Sequence, residues 1–232
     1  MYFFRKKNSH LKSHLEIKGN NFFFLLLSLI ILMFSWPILS KFGTEVTHLF
    51  TFLILLIFSS CIYTIGKRNK SALFIASGFV FLIVLSGTIR LQYNNTLITF
   101  IWFLSNVVCF LFITIIVMIH ILKDKKVTLN EIYGAICIYL FMGIIWGMIY
   151  SLIGYFDPTA FSIPAAALHP GKKFSQYFYY SFITLTSVGY GDIFPINPWA
   201  RLFAILEGIF GQIYSVVLIG WLVGNLFQVR KT

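Results

Sequence analysis

From Leu91 to Ile121 the chain contains no Lys, Arg, Asp or Glu. At about 1.5 Å of rise per residue, such a run crosses the hydrocarbon core of a bilayer as a single helix. Comparable segments recur along the sequence, and spans are predicted at about 22–40, 46–66, 71–89, 97–122, 131–156 and 198–228. Composition agrees, with 59% hydrophobic and 11% charged residues, the charges clustered between the apolar runs. That balance excludes a soluble or disordered chain.

The net charge of +11 raises the question of nucleic acid. A nucleic-acid binder needs its Lys and Arg on one continuous face, whereas here they mark the two sides of a membrane, so no nucleic-acid partner is expected. With both termini cytoplasmic, the inner segments hold thirteen basic residues and the outer ones five, namely Lys41, Arg90, Lys172, Lys173 and Arg201. This bias fits the positive-inside rule and requires an even number of spans. Residues 1–21 read as a basic cytoplasmic tail, 123–130 as a cytoplasmic linker and 229–232 as a short cytoplasmic tail. No small-residue cleavage site follows Phe22 to Phe34, so the first span is expected to be retained. The localisation is a multi-pass protein of a cell membrane, of the bacterial inner-membrane type. Cys61, Cys109 and Cys137 all fall within apolar runs, which indicates neither a disulfide framework nor a zinc site.

Between the last two predicted spans the regularity breaks. Residues 157–173 contain Pro158, Pro164, Pro170 and Gly171 and read as an outer turret. Residues 174–186 are apolar and aromatic, but a helix of that length rises only about 20 Å. It must therefore dip into the membrane and return. The loop after it reads Thr184-Leu185-Thr186-Ser187-Val188-Gly189-Tyr190-Gly191-Asp192, with Pro195 beyond.

This stretch resembles the selectivity filter of the potassium-channel family, in which four loops of Thr-Val-Gly-Tyr-Gly replace the hydration shell of the ion with backbone carbonyl oxygens. The resemblance covers about residues 131–228. It implies an outer helix at 131–156, a turret at 157–173, a pore helix at 174–186, a filter at 187–192 and an inner helix at 198–228. K+ would be coordinated along Thr186, Ser187, Val188, Gly189, Tyr190 and Gly191, the core of the site being Ser187 to Tyr190. Asp192, Tyr179, Tyr180 and Thr184 would support the filter. The chemistry explains the glycines: carbonyls that all face one axis need a backbone alternating between right- and left-handed conformations, and Gly189 and Gly191 enter the left-handed region without penalty. Ser187 departs from the family's threonine and leaves the innermost ion site least defined.

The resemblance further implies a hinge in the inner helix at Gly211, and a homotetramer, because a pore needs four filters. Gln212, Ser215, Ile219 and Val223 fall on one stripe of the last helix, with Phe227 below. They are expected to line a wet cavity above an apolar constriction, the alternative being that Gln212 and Ser215 bond to a neighbouring helix. Glu207 is the single acid of this span: either a protonatable modulator behind the filter or a carboxyl satisfied by local donors. Thr128 and Glu131 have capping-box spacing, Asn197-Pro198 reads as a helix start, and Gly143 and Gly147 share one helix face.

The expected fold is an all-α membrane protein with six transmembrane helices, one re-entrant pore helix and a filter loop. The first four spans, 22–122, carry no charge ladder, so an S4-type voltage sensor is not expected. The function expected from the resemblance is passive K+ conduction with no enzymatic chemistry and no cofactor, K+ being the transported ion. The chain ends within a few residues of the last span, so no cytoplasmic ligand-binding domain is expected and gating would lie in the pore, the first four spans or a separate partner. Rival readings are a weakly selective cation channel, because of Ser187, and a transporter with a broken helix, which internal repeats would favour and the sequence does not show.

Overall fold

The structure, a computed structural model, describes residues 21–39, 70–93, 95–123, 128–164 and 173–229. The span expected at 46–66 lies outside these residues, as do 1–20 and 230–232 of the tails, 124–127 of the linker and 165–172 of the turret. Among the described residues the chain forms six helices: α1 (Asn21–Leu39), α2 (Lys70–Tyr93), α3 (Thr96–Lys123), α4 (Leu129–Phe156), α5 (Lys173–Leu185) and α6 (Pro198–Val229). A pair of two-residue strands, β1 (Phe161–Ser162) and β2 (Phe194–Pro195), completes it. Among the described residues three helices are long and apolar enough to cross a membrane: α3, α4 and α6 over Pro198–Trp221. α1 and α2 contribute shorter apolar stretches, Phe22–Ser35 and Ser77–Arg90.

α4 is the hub, packed against α1, α3, α5 and α6. Its start is set locally. Thr128 accepts from the Asn130 N–H while Glu131 Oε2 accepts from the Thr128 N–H at 2.8 Å, the capping box expected from the sequence. Asn130 in turn accepts the Phe22 N–H at 3.1 Å, which places the starts of α1 and α4 side by side. The end of α3 meets them there: the Phe22 ring packs 5.3 Å from His120, and Ile121 lies against Gly134. At the other end Arg90 of α2 lies 4.5 Å over the Trp102 ring of α3. Asn95 accepts the Leu97 N–H at 2.8 Å and so caps α3.

The main core is built from stripes at helical spacing: Phe22, Leu25, Leu29 and Leu32 of α1, Cys109, Phe110, Ile113 and Val117 of α3, and Ile138, Phe141, Ile144 and Met148 of α4. Lipid tails are as apolar as these side chains, so burial here gains little from removing water. What holds the helices together is close packing and the polar bonds between them. Packing is closest along the glycine face of α4. A Cβ at Gly143 would lie 2.5 Å from the Phe182 ring, and one at Gly147 would lie 3.2 Å from the Phe178 Cα. The two glycines thus open a groove in which α5 sits.

α5 follows α4 backwards, with Tyr177 beside Gly154, Phe178 beside Gly147 and Phe182 beside Gly143. It stops partway, at Leu185, whose carbonyl accepts the Tyr139 hydroxyl at 3.1 Å. The chain then returns to the end of α4 it came from, where β2 pairs antiparallel with β1 in the register Phe161 to Pro195. Ala160 accepts the N–H of Ile196 at 2.8 Å. Next, Asn197 caps α6 by accepting the Trp199 N–H at 2.8 Å, with Pro198 at the first helical position. α6 runs unbroken through Gly211, back along α4, and reaches the start of that helix, where Tyr214 donates to the Ala135 carbonyl at 2.7 Å.

Candidate functional site

The segment from Thr186 to Asp192 hangs between the end of α5 and β2. Its inner end is anchored on the last four carbonyls of α5, the groups a helix end leaves unbonded. Phe182 O accepts from Thr186 N at 3.0 Å, Ile183 O from Val188 N at 2.9 Å and Gly189 N at 3.1 Å, and Thr184 O from Ser187 N at 3.0 Å. Leu185 O takes the Tyr139 hydroxyl. All four are satisfied, three by the loop's own backbone and the fourth by Tyr139 of α4.

Beyond that turn the backbone alternates. Ser187 has φ 59°, Gly189 φ 53° and Gly191 φ 79°, and no other described residue is left-handed. Val188 and Tyr190 between them keep negative φ, so the sign of φ alternates along the loop. At Ser187 the left-handed region costs on the order of 1 kcal/mol, because its Cβ crowds the following carbonyl. Sequence reasoning reserved this conformation for glycine and missed Ser187. Its hydroxyl accepts from Gln212 Nε2 of α6 at 2.5 Å.

At the outer end Tyr179 donates to Asp192 Oδ2 at 2.8 Å, which joins two residues expected to support the filter. Tyr180 goes elsewhere. Its ring packs 5.1 Å from Tyr150 and 5.4 Å from Phe161 in a second core with Tyr177, Ile193 and Ala200, because that face of α5 points toward α4 and β1. The hydroxyls of Thr184 and Thr186 bond back to Tyr180 O at 2.8 Å and Phe182 O at 2.7 Å on α5 itself. Val188 is 51% and Tyr190 73% exposed on the single chain.

Behind the loop lies a cluster that sequence reasoning did not assemble. Glu207 is fully buried and is gripped from two other helices: Tyr150 of α4 donates to Oε2 at 2.6 Å, and Ser181 Oγ of α5 lies 2.5 Å from Oε1. Ser181 also reaches the Gly143 carbonyl at 2.8 Å. The lone acid in an apolar span was the signal that donors must exist. Their identity was hidden by sequence separations of 57 and 26 residues.

On α6, Gly211 serves close approach. A Cβ there would stand 2.5 Å from the Leu185 carbonyl oxygen, so only glycine lets α6 pass the end of α5. Ser215 bonds back to Gly211 O at 2.9 Å, and Ile219 is exposed. Val223 and Phe227 lie on α6, but their side chains are outside the described residues.

The described helices, three of them long and apolar enough to cross a membrane, carry this looped segment between the last two. Residues 134–228 match a family model described as "Ion channel". Curated relatives include potassium channel K2 of Plasmodium falciparum (isolate 3D7), 34% identical over 61 residues that make up 26% of this chain and 4% of that protein. A second is two-pore potassium channel 5 of Arabidopsis thaliana, 30% identical over 54 residues, 23% of this chain and 13% of that protein. The matched stretches are thus small parts of both relatives. This chain is similar to the potassium-channel family, as the filter motif indicated.

Proposed function

We propose that the chain is a subunit of a K+-selective channel that conducts passively through a pore built from four copies. The observation that carries the reading is the alternation of φ at Ser187, Gly189 and Gly191 in a loop that leaves and rejoins the same end of α4. Irregular backbone at membrane depth is tolerated where it is covered by protein or lines water. A central filter meets both conditions. Val188 and Tyr190, uncovered on one chain, would then be covered by the adjacent subunit. The same assembly accounts for α6, which leaves Leu202, Ile205, Ile209, Phe210, Ile213 and Val216 exposed.

Six spans with cytoplasmic termini are supported by the order of helix ends. α1 and α4 start together, while α2 runs antiparallel to α3, since Gly87 meets Trp102 and Phe79 meets Phe112. The end of α1 and the start of α2 consequently lie at opposite faces, which calls for a crossing between them. In this topology α5 is the re-entrant pore helix. α3, the fourth span, carries no charge before Lys123, which favours a pore without an S4-type sensor.

One observation favours weaker selectivity as the second reading: the Ser187 hydroxyl is engaged by Gln212 and carries no methyl group to fix it. The test is the reversal potential of the purified protein in planar bilayers, with K+ on one side and Na+ on the other. The proposal expects reversal near the K+ equilibrium potential and loss of the current in Gly189→Ala. Reversal near zero with robust current would establish the weakly selective channel. Substrate-coupled uptake in place of current would overturn both.

A further inference from the structure

Ser187 is the one described residue with a side chain that is held in the left-handed region. Such a conformation persists only where its surroundings over-determine it. Two of the restraints are local: the Ser187 N–H bonds to Thr184 O at 3.0 Å, and the following N–H groups of Val188 and Gly189 are fixed on Ile183 O. The third comes from another helix. Gln212 Nε2 reaches Ser187 Oγ at 2.5 Å, from the α6 turn where Gly211 presses against Leu185 O. That backbone approach brings the Gln212 amide up to the loop.

The bond has a chemical consequence. A serine hydroxyl offers one hydrogen and two acceptor lone pairs. With one lone pair taken by the Gln212 N–H, only one remains for a cation, and its electron density is reduced by the bond. Building on the channel reading, we propose that Gln212 is a specificity-determining residue, which sets the strength of the innermost alkali-cation site by holding the Ser187 hydroxyl.

The probe is K+ itself, read without any current. A ligand that binds only the folded state stabilises it by RT ln(1 + [L]/Kd), so the melting temperature begins to climb once the ligand concentration passes Kd. Purified protein in detergent would be melted across a series of K+ concentrations at constant ionic strength, with Na+ as the replacing ion. The variants are Gln212→Leu, which keeps size and removes the donor, Ser187→Ala, which removes the acceptor, and the double variant. Gln212 is exposed on the chain, so its replacement leaves the core intact.

Loss of Gln212 is expected to shift the K+ concentration at which the melting temperature begins to climb by about five-fold, the size of one neutral hydrogen bond. In the Ser187→Ala background the same change is expected to have no further effect. An unshifted K+ dependence in Gln212→Leu, or shifts that simply add in the double variant, would overturn the inference and leave the channel reading standing. A wild-type protein stabilised equally by Na+ and K+ would instead overturn the K+-selective reading, and this inference with it. Should Gln212→Leu not purify, Ser187→Ala and Gln212→Met carry the same comparison.

Discussion

Gly211 and Leu185 stand so close that a Cβ on the glycine would lie 2.5 Å from the leucine carbonyl oxygen and 2.9 Å from its Cδ1. The first of these neighbours is backbone at the end of the helix that bears the loop, and it cannot swing aside. Leu185 O is also the acceptor for Tyr139. The contact therefore welds three helices at one carbonyl.

Gly211→Ala is expected to lower the stability of the folded chain by about 1–3 kcal/mol, the usual cost of overpacking a tight contact. Gly208→Ala is the control, since nothing among the described residues lies within 4 Å of its Cβ position. That change should be neutral, or stabilising by the gain in helix propensity of up to about 1 kcal/mol. Thermal melts of the two variants in detergent decide it. Equal behaviour would mean that Gly211 is not placed by the Leu185 contact.

Glu207 joins α4, α5 and α6 through Tyr150 and Ser181. A buried polar group stripped of its partners costs about 1–3 kcal/mol. Glu207→Leu leaves the Tyr150 and Ser181 hydroxyls to find other partners and should destabilise by that order. Glu207→Gln should be far milder, because its amide can donate to Ser181 while its carbonyl accepts from Tyr150, and Ser181 remains free to donate to Gly143 O. A double-mutant cycle with Tyr150→Phe should show non-additive losses in melting temperature. Additive losses would dissolve the cluster as a unit.

Thr128 fixes where α4 begins. Its side chain accepts from Asn130 N, and its own N–H goes to Glu131. Thr128→Ala is expected to cost about 1 kcal/mol, as for other lost caps, and Thr128→Ser to cost little. Since Asn130 also holds Phe22 N, hydrogen exchange should quicken in the first turns of both α4 and α1. Exchange altered in α4 alone would show that the two starts are not coupled.

What could be read from the sequence divides by range. The capping box, the Asn197-Pro198 start and the left-handed glycines are set by residues a few positions apart, where spacing alone carries the physics. Ser187 was missed because its conformation is imposed partly from α6, across 25 residues, by Gln212. Gly211 was read as a hinge, and the structure places it in an unbroken stretch of α6 against the Leu185 carbonyl, a contact that spacing could not reveal. Gln212 and Ser215 had been weighed as cavity lining against bonds to a neighbouring helix. Ser215 bonds back to Gly211 O and also meets the Tyr139 hydroxyl of α4, while Gln212 bonds to the loop. Tyr150 and Ser181 carry no local mark, for a tyrosine and a serine in apolar helices are ordinary until a third helix brings a carboxyl to them.

Asp157 closes the C-terminal end of α4 and should give stability a specific dependence on pH. Its carboxylate accepts from the Thr159 hydroxyl at 2.6 Å, from Asn197 Nδ2 at 2.8 Å and from the Thr159 N–H at 3.0 Å. These donors favour the charged form and hold its pKa below the usual carboxylate value, the Thr159 hydroxyl contributing most. A group whose pKa is depressed on folding binds its proton less readily in the folded chain than in the unfolded one. Its contribution is therefore complete above the ordinary carboxylate pKa and fades as pH falls through the depressed value. Because the bond to Asn197 ties the end of α4 to the start of α6, melting temperature should decline over that acidic window. In Asp157→Asn the part of the decline due to this group should be absent, with lower stability at neutral pH. Parallel melting curves for wild type and variant across the whole pH range would show that these hydrogen bonds do not discriminate between the charged and the neutral carboxyl.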